Sequence, residues 1–162
     1  MMGPDQFGLL VDRHAAALAL YARQWCSTPE DVVQEAFLKL VKQCPAPRNV
    51  VPWLFRVVRN GAISVARSEK RRRRYETAAA EELPAWFESN EGTGLDGEAA
   101  AAALRNLTPE ERETITLHLW GGLTFEEIAQ VAECSSSTAH RWYASGLESL
   151  RERLHVHVRN QF

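Results

Sequence analysis

The chain has 162 residues, 45% of them hydrophobic, with 19 Lys+Arg against 21 Asp+Glu and a formal net charge of -2. That leaves room for one ordinary domain or two small ones and excludes an intrinsically disordered chain. Cys26, Cys44 and Cys134 are odd in number, widely spaced and without a C-x-x-C pair, which excludes a disulfide framework or a zinc knuckle and points to a reducing, cytoplasmic setting.

Apolar positions recur at helical spacing almost throughout, with no convincing period-two stretch and no internal repeat, so the expected fold is all-α. The opening MMGPDQFGLL has no positive n-region, and the apolar run Ala15 to Ala22 is too short to span a bilayer. Neither a secretion signal nor a membrane segment is expected. A first helix is predicted from about Gln6 to Trp25. Thr28-Pro29-Glu30-Asp31 then supplies a cap, a first-turn proline and first-turn acids for a second helix. Its inner face is read as Val33, Phe37, Leu40, Val41 and Cys44, with Asp31, Gln34, Glu35, Leu38 and Lys42 largely outside it. The stretch CPAPRNVVP breaks this helix, since each proline removes a donor and fixes φ.

A long third helix is predicted from Trp53 to about Tyr75. Leu54, Val57, Val58, Gly61 and Val65 form its inner stripe; Arg56, Arg59, Asn60, Ile63, Arg67, Lys70, Arg71 and Arg74 line an outer one. Six cations fall between Arg67 and Arg74, and only Glu69 and Glu76 offset them. Like-charge pairs such as Arg67/Arg71 and Lys70/Arg74 cost roughly 0.2–0.5 kcal/mol each on an isolated helix. A merely solvated face would mix signs, so the row points to an anionic polymer. Trp53 and Phe55 lie beside the cations as either base-stacking surface or core plugs.

Residues 77–103 hold six acids and no cation and read as an acidic linker; residues 1–76 hold 13 Lys+Arg against 7 Asp+Glu, and residues 104–162 hold 6 against 8. The last segment carries two capping boxes, Thr108/Glu111 and Thr124/Glu127, then a turn near Glu133-Cys134-Ser135. A final helix is expected from Ser136 to about Leu154, with Ala139, Tyr143, Leu147, Leu150 and Leu154 inward. Two helices joined by a short turn fit a helix-turn-helix, whose second helix would present Ser137, Thr138, His140 and Arg141 to a major groove; an ordinary αα-hairpin has the same spacing. No phosphate loop, catalytic triad, carboxylate pair or metal-ligand set stands out. His155-x-His157 lacks further ligands, and His14 and His118 read as core-edge residues. No enzyme activity, no metal and no cofactor is expected.

In order, the strings PEDVVQEAFLKL, PWLFRVVRNGAISVARSEKRRRR and LTPEERETITLHLWGGLTFEEIAQVAECSSSTAHRW closely resemble bacterial RNA polymerase sigma factors of the extracytoplasmic-function type. The resemblance spans about Phe7 to Leu154. It implies two small helical domains, a region 2-like bundle at 1–76 and a region 4-like helix-turn-helix at 104–162, joined by the linker at 77–103. It implies core RNA polymerase docking through Asp31, Gln34, Glu35 and Leu38. Minus-ten promoter DNA would be held by Trp53, Arg56, Arg59, Asn60, Arg67, Lys70 and Arg71, with Arg48 and Asn49 as candidates for capturing an unstacked base. Ser137, Thr138, His140 and Arg141 would read the minus-thirty-five element. Two departures from the family pattern stand out: Glu133 occupies a turn position where members often carry Gly, and Trp142 and Ser145 occupy positions often basic. An anti-sigma protein is a further implied partner. A second reading, a dimeric helix-turn-helix regulator acting on duplex DNA without polymerase, leaves DVVQEAF and the basic helix without a role. A metal-dependent nuclease would need carboxylates clustered beside the basic helix, and the pattern offers none.

Overall fold

The computed structural model describes residues 3–76 and 102–159, and among them the only regular elements are helices. The chain divides into two compact units, Met1–Pro84 and Ala85–Phe162. Residues 77–101 of the expected linker lie outside the described residues. At its end, residues 102–105 form a helical turn whose Ala103 and Leu104 are buried.

Three helices make the first unit: α1 (Pro4–Ala22), α2 (Pro29–Lys42) and α3 (Val50–Tyr75). Gly3 caps α1, Pro4 opens it, and the Gln6 side chain accepts from the Gly3 N–H at 3.3 Å, so the helix starts two residues ahead of Gln6. It closes at Ala22 rather than Trp25. Tightened bonds, Gln24 N–H to the Tyr21 carbonyl and Trp25 N–H to the Ala22 carbonyl, turn the chain there.

On α2 the first-turn acids Glu30 and Asp31 and the last-turn Lys39 and Lys42 complement the helix dipole. Pro29, Val32, Val33, Ala36, Phe37 and Leu40 are buried. Val41 and Cys44, expected inward, are exposed, Val41 by 66%. Eight residues past Val33 a helix has rotated by about 80°, which carries Val41 off the stripe, and α2 ends at Lys42, before Cys44.

Helix α3 starts at Val50, three residues earlier than expected. Pro52 sits in the first turn, where its missing N–H has no intrahelical partner to lose. Leu54, Phe55, Val58 and Ala62 are fully buried, while Val57, Gly61 and Val65 are only half-buried. Phe55 is therefore core: its ring meets Tyr21 edge-on at 5.3 Å between centroids. Burying each such large apolar side chain contributes about 1.5–3 kcal/mol. Leu18, Tyr21, Ala22 and Cys26 complete this core from the α1 side, and Phe7 meets Phe37 edge-on at 5.8 Å.

The second unit holds α4 (Pro109–Leu119), α5 (Phe125–Ala132) and α6 (Ser136–Arg159). Both capping boxes form. The Thr108 hydroxyl accepts from the Glu111 N–H at 3.3 Å and the Glu111 carboxylate accepts from the Thr108 N–H at 3.1 Å; Thr124 and Glu127 repeat this at 3.3 and 2.9 Å. Consecutive residues Glu113–Leu117 of α4 are all buried. The threonines among them tolerate this because the Thr114 hydroxyl donates to the Glu110 carbonyl and Thr116 to the Arg112 carbonyl. Arg112 donates to the carbonyls of Leu104, Arg105 and Leu107, closing the open end of the preceding turn.

Ser135 caps α6, its hydroxyl accepting from the Thr138 N–H at 3.1 Å. Ala139 and Gly146 are buried on α6; Tyr143, Leu147 and Leu150 are half-buried. Leu154, expected inward, is exposed, because the 24-residue α6 outruns the 11-residue α4 it packs on. A Cβ at Gly146 would lie 2.6 Å from Cδ1 of Ile115, so α4 and α6 approach at a distance only glycine allows without rearrangement.

Candidate nucleic-acid interface

The outer face of α3 carries Arg56, Asn60, Arg67, Lys70 and Arg71, all exposed. Arg59 differs. It is half-buried, its guanidinium 6.0 Å from the centroid of the Trp25 ring, and Trp25 is braced edge-on against Tyr21 at 4.9 Å. Trp53 is half-buried at the start of the helix. Arg48 and Asn49 are exposed in the connection just before it, and Asn49 holds the N-cap position without a side-chain capping bond.

Toward its C-terminus α3 carries Arg67 and Lys70 to Arg74, exposed and free of ion pairs with any described residue. Arg71 donates to the Ser68 hydroxyl at 3.3 Å, and Arg67, Lys70, Arg71 and Arg74 line an open groove with Ser64. The last-turn cations Arg72, Arg73 and Arg74 suit the negative end of the helix dipole. Glu69, the acid inside the run, is half-buried and accepts a hydrogen bond from the Ser27 hydroxyl, in the turn between α1 and α2. Burial pushes the neighbouring Cys26 thiol above its ordinary range; a Thr28 backbone hydrogen bond opposes this, and the Glu69 and Glu30 carboxylates add to it. Glu30 is itself held below the usual carboxylate range, first by a backbone N–H at the start of α2 and then by Arg23, with which it pairs at 3.2 Å.

A second surface runs along α2. Asp31, Gln34, Glu35 and Leu38 are all exposed, Leu38 by 53%, and Glu35 pairs with Lys39 at 2.9 Å. Val41, one turn beyond Leu38, extends the exposed apolar strip. Sequence periodicity had turned it inward.

In the second unit, α5, its turn and α6 present Ser137, His140 and Arg141 to solvent. Thr138 is half-buried and its hydroxyl accepts from Ser135 at 2.8 Å. The His140 ring meets Phe125 edge-on at 5.0 Å, and Phe125 stacks on His118 at 4.8 Å. His118 in turn donates from Nδ1 to the Leu123 carbonyl at 2.8 Å. Glu133 takes up a left-handed conformation, φ 57° and ψ 46°, the geometry for which glycine is usual. The Ser145 hydroxyl donates to Glu111 at 2.6 Å, which ties it to α4. Among the described residues no helix is long and apolar enough to cross a membrane, and no group of three or more His, Cys, Asp or Glu is arranged to hold a metal.

Residues 10–72 match the family model described as sigma-70 region 2, and residues 97–150 match the one described as sigma-70, region 4. The RNA polymerase sigma factor CarQ of Myxococcus xanthus is 27% identical over 157 residues, covering 93% of this chain and 90% of that protein. The ECF RNA polymerase sigma-E factor of Haemophilus influenzae is 27% identical over 148 residues, covering 82% and 78%. Among solved structures, the sigma factor RpoE in complex with the anti-sigma factor NepR from Bartonella quintana shares the fold, with a TM-score of 0.73, 22% identity and coverage of 94% of this chain and 98% of that one. CnrH, solved in complex with the cytosolic domain of CnrY, aligns with a TM-score of 0.62 and 26% identity over 95% and 90%.

The chain belongs to the sigma-70 family, with its region 2 in the first unit and its region 4 in the second. Within that family it is a sigma factor of the extracytoplasmic-function type, a transcription initiation factor that binds core RNA polymerase and directs promoter recognition and DNA melting. The reading as a polymerase-independent dimeric regulator has no support in these matches.

Proposed function

We propose that the work of initiation is divided among three surfaces of this chain. The outer face of α3, with Arg56, Arg59, Asn60, Arg67, Lys70 and Arg71, grips the minus-ten region as it separates. Cations neutralise phosphates, while Trp53, Arg48 and Asn49 receive an unstacked base. The exposed strip Asp31, Gln34, Glu35 and Leu38 docks on the polymerase. Ser137, Thr138, His140 and Arg141 read the minus-thirty-five element, and residues 77–103 act as an acidic tether between the domains 1–76 and 104–162.

The observation that carries the reading is the row Arg67 to Arg74, exposed and without ionic partners among the described residues. Six cations left without counter-charges among the described residues favour a polyanion, since binding releases the counterions condensed on it. The likeness to RpoE in its complex with NepR supports an anti-sigma protein as a regulatory partner in the cytoplasm, where the polymerase works.

The test is in vitro transcription with purified core polymerase, mapping start sites that require this chain. Replacing Leu38 with Asp should weaken polymerase association by about 10–100-fold, the cost of losing a buried apolar anchor, with helicity by circular dichroism unchanged. Normal co-purification of that variant with core enzyme would remove α2 from the docking surface.

A further inference from the structure

The basic row has an acid in its midst that does not neutralise it. On an isolated α3, Glu69 would find Arg72 three residues on and Arg73 four residues on, the spacing and order in which a glutamate pairs best with a following cation. It pairs with neither. Its carboxylate instead accepts from the hydroxyl of Ser27, 42 residues earlier in the chain. The same turn meets α3 a second time through Trp25, whose ring underlies the guanidinium of Arg59. Ten residues separate Arg59 from Glu69, roughly 15 Å of helix, so the turn is fixed to α3 on both sides of the point where the buried part of the helix gives way to the exposed cations.

We propose that Ser27 is a positioning residue for promoter binding: its hydrogen bond draws the Glu69 carboxylate toward the α1–α2 turn and away from Arg72 and Arg73, so that their charge adds to the basic row Arg67 to Arg74 instead of being spent within the helix. Ser27 itself touches no nucleic acid. This rests on the reading of α3 as the DNA-gripping face, and the experiment separates the two. A removed serine frees Glu69 to pair along its own helix, so one fewer phosphate is neutralised. A removed carboxylate makes the serine irrelevant.

Binding of the full chain to a fluorescently labelled single-stranded oligonucleotide of mixed sequence is followed by anisotropy across a salt series. Ser27→Ala should weaken binding about twofold to fivefold at low salt and make the slope of log affinity against log salt shallower by about 0.7. Ser27→Thr should restore both. Glu69→Gln should tighten binding by a similar factor, and Ser27→Ala/Glu69→Gln should bind like Glu69→Gln alone. If Ser27→Ala merely loosened the fold, the second substitution would not rescue it, and that result overturns the proposal, as does a Ser27→Ala slope equal to wild type. The wild-type slope compared with that of a variant lacking Arg71 to Arg74 reports separately on the DNA-gripping reading: no change there overturns that reading, whereas a change there with an inert Ser27 overturns only this inference.

Discussion

In the N-terminal unit the α3 cations Arg67 and Lys70 to Arg74 are exposed without ionic partners among the described residues, whereas in the C-terminal unit many polar groups are consumed by the fold itself. There Glu111 serves both a capping box and Ser145, Arg112 satisfies three carbonyls, Thr114 and Thr116 bond back to their own helix, and Ser135 holds Thr138. The difference has a physical source. A 26-residue α3 extends past its buried anchor and carries charge that no core constrains. The 11-residue α4 is buried along consecutive residues, so its polar atoms must find partners inside the unit or leave unmet hydrogen bonds there. The first unit thus holds charge in reserve for a partner, and the second offers a small exposed set, His140 and Arg141 with Ser137.

The sharpest way to break this contrast is to strip the reserve. If the row neutralises about five phosphates of single-stranded DNA, log affinity should fall with log salt at a slope near -3.5. Replacing Arg71 to Arg74 with Ala should bring that slope toward about -1 and cost roughly 100-fold in affinity at low salt. Arg141→Ala in the second unit should leave the single-strand slope within error of wild type; equal losses from both substitutions would erase the asymmetry.

A smaller effect tests the packed side. Gly146→Ala puts a methyl group into Ile115, and overpacking of that kind costs about 1–3 kcal/mol, partly offset by about 1 kcal/mol of helix propensity. The urea or thermal midpoint of the C-terminal unit should drop while single-strand binding through α3 holds. An unchanged midpoint would mean that the end of the Ile115 side chain moves aside at a cost no larger than the helix propensity gained. The smallest effect runs the other way. Glu133→Gly should relieve the left-handed backbone and raise the stability of that unit by about 0.5–1 kcal/mol, whereas Glu133→Ala should give no gain.

What sequence made legible follows the range of the rule involved. Both capping boxes, the helix openings at Pro29 and Pro109 and the outer cation stripe depend on residues within about one helical turn of each other, and the structure forms each of them. The start of α3 escaped because a proline reads as a stop unless it falls in a first turn, and nothing local says that Val50 has already begun one. Val41 and Leu154 were turned inward by periodicity alone, and Phe55 was left open between stacking surface and core plug; their exposure or burial depends on where the neighbouring helices lie and end. Ser27 with Glu69, Trp25 beneath Arg59 and the glycine contact between Gly146 and Ile115 join residues far apart in the chain. No spacing rule could have announced them.

The continuity of α3 has one more consequence. The helix is a lever, with its fulcrum at Leu54, Phe55, Val58 and Ala62, the side-chain tie from Ser27 to Glu69 partway along its arm, and its load at Arg71 to Arg74. About a dozen residues, close to 20 Å, separate the two, so a tilt of about 5° at the fulcrum shifts the load by almost 2 Å, more than half the reach of a hydrogen bond. A conservative change deep among the apolar rings, such as one that lets Tyr21 and Phe55 settle differently, would therefore displace Arg71 to Arg74 while leaving a melting curve almost untouched.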